Sequence, residues 1–315
     1  MKRDSRNVFI AAVLFIGAIF LLSAYYYRTD AVKRVSEQTY HRLADSGAEQ
    51  SVVLNAKINA QFAVLETFAK SINYKGGSSV KSDMTAFMRN LVLSSVFTHS
   101  SYIDRSGKGY LEYGTEIDAS QSDYFKKAMA GNRSIEMQPA TKQHPVCFIA
   151  AVPVFRGGEV VGVVTGSYDE NTLKKLLESK SFSGQHASFI CDSNGNIVLG
   201  SDSPTYMFAA GRPLAGIHNV FNGYWNDEAS ANRKSGDVAA DFKALRSGSF
   251  TFAMNGHSRY VTYEPIGIND WLLVNGIPGD VVAGVVKENS ATAYMLFTQL
   301  SQQQNMFRTL KNPYR

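Results

Sequence analysis

From Val8 to Tyr27 the chain runs VFIAAVLFIGAIFLLSAYYY, 20 residues without a formal charge. At 1.5 Å per residue a helix of that length crosses the roughly 30 Å hydrocarbon core of a bilayer. The run ends in three tyrosines, which suit an interfacial belt better than a peptidase site, so the pattern predicts an uncleaved transmembrane anchor over 8–27 with residues 1–7 cytoplasmic. Lys2, Arg3 and Arg6 are matched by Arg28, Lys33 and Arg34 on the other side, so this orientation rests on the character of the chain beyond the span and not on charge. Beyond the anchor, Leu54, Ile58, Phe62, Leu65, Phe68 and Ile72 recur at three- or four-residue spacing, with Gly47 the one helix-weakening residue before Tyr74. This predicts one long stalk helix over 28–78, solvated below and packed on a domain above. KGGSS at 75–79 ends it, and DMTAFMRNLVLSS reads as a second, shorter helix.

The period then shortens. SYIDRSGKGYLEYG reads as two strands joined by the turn Asp104–Gly107, and Asp118–Arg133 as a helix carrying the aromatic pair Tyr124 and Phe125. VCFIAAVPVF and EVVGVVTGSY form a hairpin around Arg156–Gly158, and ENTLKKLLES is helical. The order then returns: ASFICDSNGNIVLG repeats the Asp-x-x-Gly turn at Asp192–Gly195, a loop and helix region comes next, and GSFTFAMNG, SRYVTYEPI and DWLLVNGIP supply three strands. One α+β module therefore occurs twice, at 79–180 and 181–280, each with an antiparallel sheet.

With 44% hydrophobic residues among 315, the chain can bury a large core or two modest ones. Its +5 formal charge is scattered, with no basic block that would suit a nucleic acid. Cys147 and Cys191 each sit in an apolar run; two core thiols and a disulfide are both open. The six histidines show no metal-ligand spacing, and no nucleophile elbow or phosphate loop is present, so no metal, cofactor or catalytic site is expected and the chain is not read as an enzyme.

YIDRSGKG, the Asp118–Gly131 segment, AAVPVFRGGEVVGVVTGS, SFICDSNGNIV and NDWLLVNGIP, in that order behind a long helix, resemble the double Cache (tandem PAS-like) sensor domains of bacterial chemoreceptors, sensor kinases and membrane diguanylate cyclases. The resemblance covers Val32 to about Val286. It implies an extracytoplasmic, membrane-anchored sensor at the bacterial inner membrane, with a small-molecule site in the membrane-distal module. Tyr102, Tyr110, Tyr113, Tyr124 and Phe125 would be its aromatic walls, and Asp118, Ser122 and Asp123 its polar ends. Amino-acid-binding members share an Arg two residues before an aromatic pair and an Asp late in the module's last strand. Here Ser122 and Ser167 hold those positions, and Asp169 serves only by a two-residue shift of about 6–7 Å. A fixed guanidinium and a fixed carboxylate are hard to replace in a buried site, so an amino-acid sensor of that type is not expected.

Residues 281–315 read as a helical tail without a recognisable effector, which suggests a receptor lacking its own output and acting through a partner receptor or effector. The alternatives are an interaction protein that forms a homodimer through the long helix, with a vestigial site, and the truncated sensor region of a cyclase or kinase.

Overall fold

The structure is a computed structural model that describes residues 2–72, 80–139, 146–177, 187–200, 219–221, 235–254 and 257–279; before Tyr40 only isolated side chains belong to that description. The long periodic stretch forms a single helix, α1 (Lys2–Ser71), about 105 Å long at the helical rise. Val8–Tyr27 lies within it, but most side chains of that expected span fall outside the described residues. Among the described residues no helix is long and apolar enough to cross a membrane. The break expected at 75–79 and the tail at 281–315 also lie outside them. The second helix, α2, is Val80–Leu93.

The first sheet contains β1 (His99–Asp104), β2 (Lys108–Leu111), β3 (Glu116–Asp118), β4 (Ser134–Gln138), β5 (Cys147–Arg156) and β6 (Glu159–Asp169), ordered β3-β2-β1-β6-β5-β4 with antiparallel pairing throughout. A helix over all of Asp118–Arg133 is not what forms. Asp118 closes β3 and accepts the Ser120 N–H at 3.0 Å, an Asx-type turn that competes with helix, and α3 is confined to Asp123–Met129. Ser122 is its N-cap, and Gly131 at φ 87° leads the chain into β4. Helix α4 (Glu170–Leu177) leads on from β6.

The second sheet is β7 (Ala187–Cys191), β8 (Ile197–Gly200), β9 (Gly248–Met254), β10 (His257–Pro265) and β11 (Leu272–Pro278), ordered β8-β7-β11-β10-β9, with α5 (Ser235–Lys243) against it. That order reproduces β2-β1-β6-β5-β4 strand for strand. Gly107 and Gly195 occupy equivalent turn positions at φ 86° and 82°, a region an L side chain enters only with strain. The α+β class with an N-terminal helix and two antiparallel sheets is thus the observed architecture.

One face of each sheet meets α1. Leu54, Ile58, Phe62 and Leu65 join Phe148, Val152 and Val164 of the first sheet and Ile190 and Leu273 of the second in one apolar cluster. Both cysteines are free, Cys147 half-buried and Cys191 fully buried in the other sheet.

Candidate functional site

Side chains alternate across a strand, so each sheet residue faces either α1 or the opposite side. On β1 the α1 side takes Tyr102, which is 5% exposed and packed with the α1 cluster, while Ile103 faces α3. Tyr110 stands opposite Tyr102 and therefore shares its face, with the Lys81 ammonium of α2 4.4 Å from its ring centroid. Tyr113 is 72% exposed beside Arg89 of α2. These three tyrosines cannot wall a site under α3; strand alternation puts them on the other side of the sheet or in solvent. Asp118 and Asp123 are also exposed, the first holding its own turn and the second 3.9 Å from Lys126.

The remaining side chains converge on the other face. Tyr124 and Phe125 turn inward from α3 and pack with Ile103, Ala119, Ala151 and Val163. Strand register supplies two rows beneath them. Ser134, Ala151, Thr165 and Ser101 form one, in which the Ser101 and Thr165 hydroxyls bond at 2.6 Å and Ser134 Oγ reaches the Tyr124 carbonyl at 3.4 Å. Glu136, Ile149, Ser167 and His99 form the next, less covered row. Beyond it stand Cys147 and Asp169, opposite each other.

Burial pushes the Tyr124 phenol up; the Ser122 hydroxyl opposes that by hydrogen bonding to it, and the Glu136 carboxylate adds to it. Burial likewise raises the Cys147 thiol. Glu136 is paired with Lys127 of α3 at 3.1 Å. At the row's end the His99 Nδ1 lies 2.7 Å from Oε1 of Glu112, a fully buried carboxylate whose other oxygen takes the Ser100 N–H. Asp169 is committed to the fold: its Oδ1 accepts the Thr172 N–H at 2.7 Å and its hydroxyl at 2.6 Å, capping α4.

Of the ten side chains expected, Ser122, Tyr124, Phe125 and Ser167 therefore share one side of the sheet, with Asp169 at its margin. Glu136, Cys147, Ile149 and the His99–Glu112 pair complete it. Only the pairing register of four strands brings them there, and no local motif carries that register. The corresponding face of the second sheet is filled by Phe242, Phe250 and Tyr263, whose hydroxyl donates to Asp241 at 2.6 Å.

The arrangement can be set beside known proteins. The sequence profile of the Cache domain matches residues 28–285. Two curated relatives are methyl-accepting chemotaxis proteins: McpA of Pseudomonas putida, 21% identical over 201 residues, covering 62% of this chain and 30% of the relative, and PctB of Pseudomonas aeruginosa, 21% identical over 212 residues, covering 64% and 33%. The chain spans about a third of the length of these relatives. Among solved structures, the sensory domain of the Campylobacter jejuni chemoreceptor Tlp3 with isoleucine bound superposes with a TM-score of 0.59 at 10% identity over 80% of this chain and 98% of that one. The ligand-binding domain of Pseudomonas fluorescens CtaA with L-serine gives 0.57 at 18% identity over 78% and 99%.

Proposed function

Because the chain belongs to the Cache domain family, we propose that it is a membrane-anchored sensor that binds a small molecule between α3 and the first sheet. The observation that carries this reading is the seating of Tyr124 and Phe125 over rows of small and hydroxyl side chains, with the half-covered Glu136, Cys147, Ile149 and Ser167 beside them. Ligand sites are of this kind, apolar and aromatic with a few convergent polar groups. The filled face of the second sheet supports assigning the ligand to the first, and with that assignment the chain divides into a stalk at 28–78, a distal module at 79–180 and a proximal module at 181–280.

Relatives hold amino acids, but their mode of recognition does not transfer. Ser122 holds the N-cap position of α3 and Ser167 sits in β6, so neither position offers the charge that an α-carboxylate or α-ammonium needs. The ligand is a small molecule gripped by aromatic and hydroxyl groups. The anchor is Val8–Tyr27: Phe15, Ile19, Leu22, Tyr25 and Tyr26 are all more than half exposed, as side chains facing lipid would be. On this reading the modules lie outside the cytoplasm, and the signal passes along α1 to a partner or to an output such as the relatives possess.

A second reading, pairing of two copies through α1, has its own support. Val52 and Val53 are 69% and 43% exposed, and Ala56, Ala60 and Ala63 continue the exposed side at three- and four-residue spacing. Both readings hold together if the sensor is a dimer.

Alkylation of Cys147 tests the site. A ligand between α3 and β5 should slow maleimide labelling of Cys147 in the full chain, with the fully buried Cys191 as internal control. A compound that binds without changing the Cys147 rate would place the site elsewhere.

A further inference from the structure

Strand β4 pairs with β5 only from Cys147 to Ala151, so residues 152–156 run on past its end. Beside them lies a groove of about 470 Å³, bounded by Pro153 and Phe155 of β5, by the turn after α3 with Arg133, and by Glu66, Ala69 and Lys70 of α1. None of the α3 side chains assigned to the sensing site lines it.

Its walls have a definite chemistry. Phe155 is 57% exposed, and a β-carbon placed on Gly131 would touch its ring at 3.9 Å, so the ring stands flush against the turn. The register of β5 on β6 shifts between Val154 and Phe155, leaving Val161 of β6 as the extra residue of a bulge that adds local twist at this end of the hairpin. Arg133 donates to Asn59 Oδ1 at 2.7 Å and lies 4.9 Å over the Phe62 ring, while its other terminal nitrogen is 3.7 Å from Glu66 Oε1, beyond hydrogen-bond length. A guanidinium has five N–H donors, so capacity toward the groove remains. Lys70 adds a second cation against the single Glu66 carboxylate.

We propose that this groove binds a small monocarboxylate with an apolar tail, the carboxylate between Arg133 and Lys70 and the tail on Phe155, Pro153 and Ala69. The volume suits a molecule of aromatic-acid size. The occupant bridges α1 and the turn that closes α3.

Phenylacetate is the probe, with benzylamine and 2-phenylethanol as cationic and neutral controls of the same shape, each titrated calorimetrically into the full chain in nanodiscs. Phenylacetate should bind and both controls should bind about tenfold more weakly or worse. Lys70→Gln and Arg133→Gln should each weaken phenylacetate by about tenfold. Glu66→Gln should tighten it, because the competing carboxylate is gone; a groove whose charges only hold the fold would not respond this way. Absence of phenylacetate binding, equal binding of benzylamine, or weakening by Glu66→Gln overturns the proposal. Binding lost with Tyr124→Ala but kept with Lys70→Gln and Arg133→Gln also overturns it, and assigns the probe to the α3 site, so the two sites fail separately.

Discussion

Two hydrogen bonds from Thr172 hold the Asp169 carboxyl below its ordinary value, because both favour the ionised form. A carboxyl depressed in the folded state stabilises at pH above its unfolded value, and that contribution is lost as pH falls through the folded value. Asp169→Asn keeps a competent cap without the charge. The melting temperature of the native chain should therefore exceed that of Asp169→Asn at pH 6, with the gap closing below about pH 4. A gap independent of pH would show that the charge does nothing there. Asp169→Ala, which removes the cap altogether, should cost about 1 kcal/mol.

The seat of α1 on the second sheet differs from its seat on the first. From Tyr40 to Asn55 the contact mixes polar and apolar groups: Tyr40 and Thr251 share a hydrogen bond, Ser51 donates to the Pro265 carbonyl, Asn55 donates to that of Ile266, and Leu43 packs with Ile277. Gly47 brings the helix close, since a β-carbon there would lie 3.0 Å from Asn275 Nδ2 and 3.4 Å from Thr262 Oγ1. The Thr262 hydroxyl is fully buried and has no hydrogen-bond partner among the described residues. Thr262→Val should thus be neutral or stabilising by up to about 1 kcal/mol, because a buried hydroxyl left unbonded costs free energy. Gly47→Leu should destabilise by about 1–3 kcal/mol through overpacking, despite its better helix propensity. Urea titrations of both variants decide, and a Gly47→Leu protein more stable than the native one would contradict the close approach.

Across the whole molecule, Trp271 of the second half meets Phe148 of the first edge to face at 6.3 Å, and Asn269 donates to the Ile135 carbonyl at 2.7 Å. With α1 clamped to both sheets, thermal unfolding should be one transition, and Trp271→Ala should lower it by removing about 3–5 kcal/mol. Two separate transitions would contradict that coupling. Much of this architecture was legible in the sequence. The long helix shows in its 3.6-residue period, the two hairpin turns in Asp-x-x-Gly, and the matching strand order of the two sheets in the recurrence of that turn. The edge strands β3 and β4 are too short and polar to signal themselves, and α3 is shorter than its pattern predicts because the Asp118 carboxylate takes up the Ser120 N–H in a turn. At the candidate site, Tyr124 and Phe125 share the inward side of α3, as their helical spacing predicts, whereas Tyr102 packs on the opposite side of the sheet, because which face of a strand is covered depends on partners far along the chain. Glu136 and Cys147 became visible only through cross-strand register.

The sensing function stands or falls with a small molecule bound on the α3 face of the first sheet. The decisive test is a thermal-shift screen of the full chain against amines, sugars, purines, small carboxylates and α-amino acids, run in parallel on Tyr124→Ala. A compound outside the α-amino acids should raise the melting temperature of the native chain, by about 2.7 kcal/mol of stabilisation at a hundredfold excess over its Kd, and leave Tyr124→Ala unmoved. Stabilisation by an α-amino acid that survives the loss of Tyr124 would contradict this function.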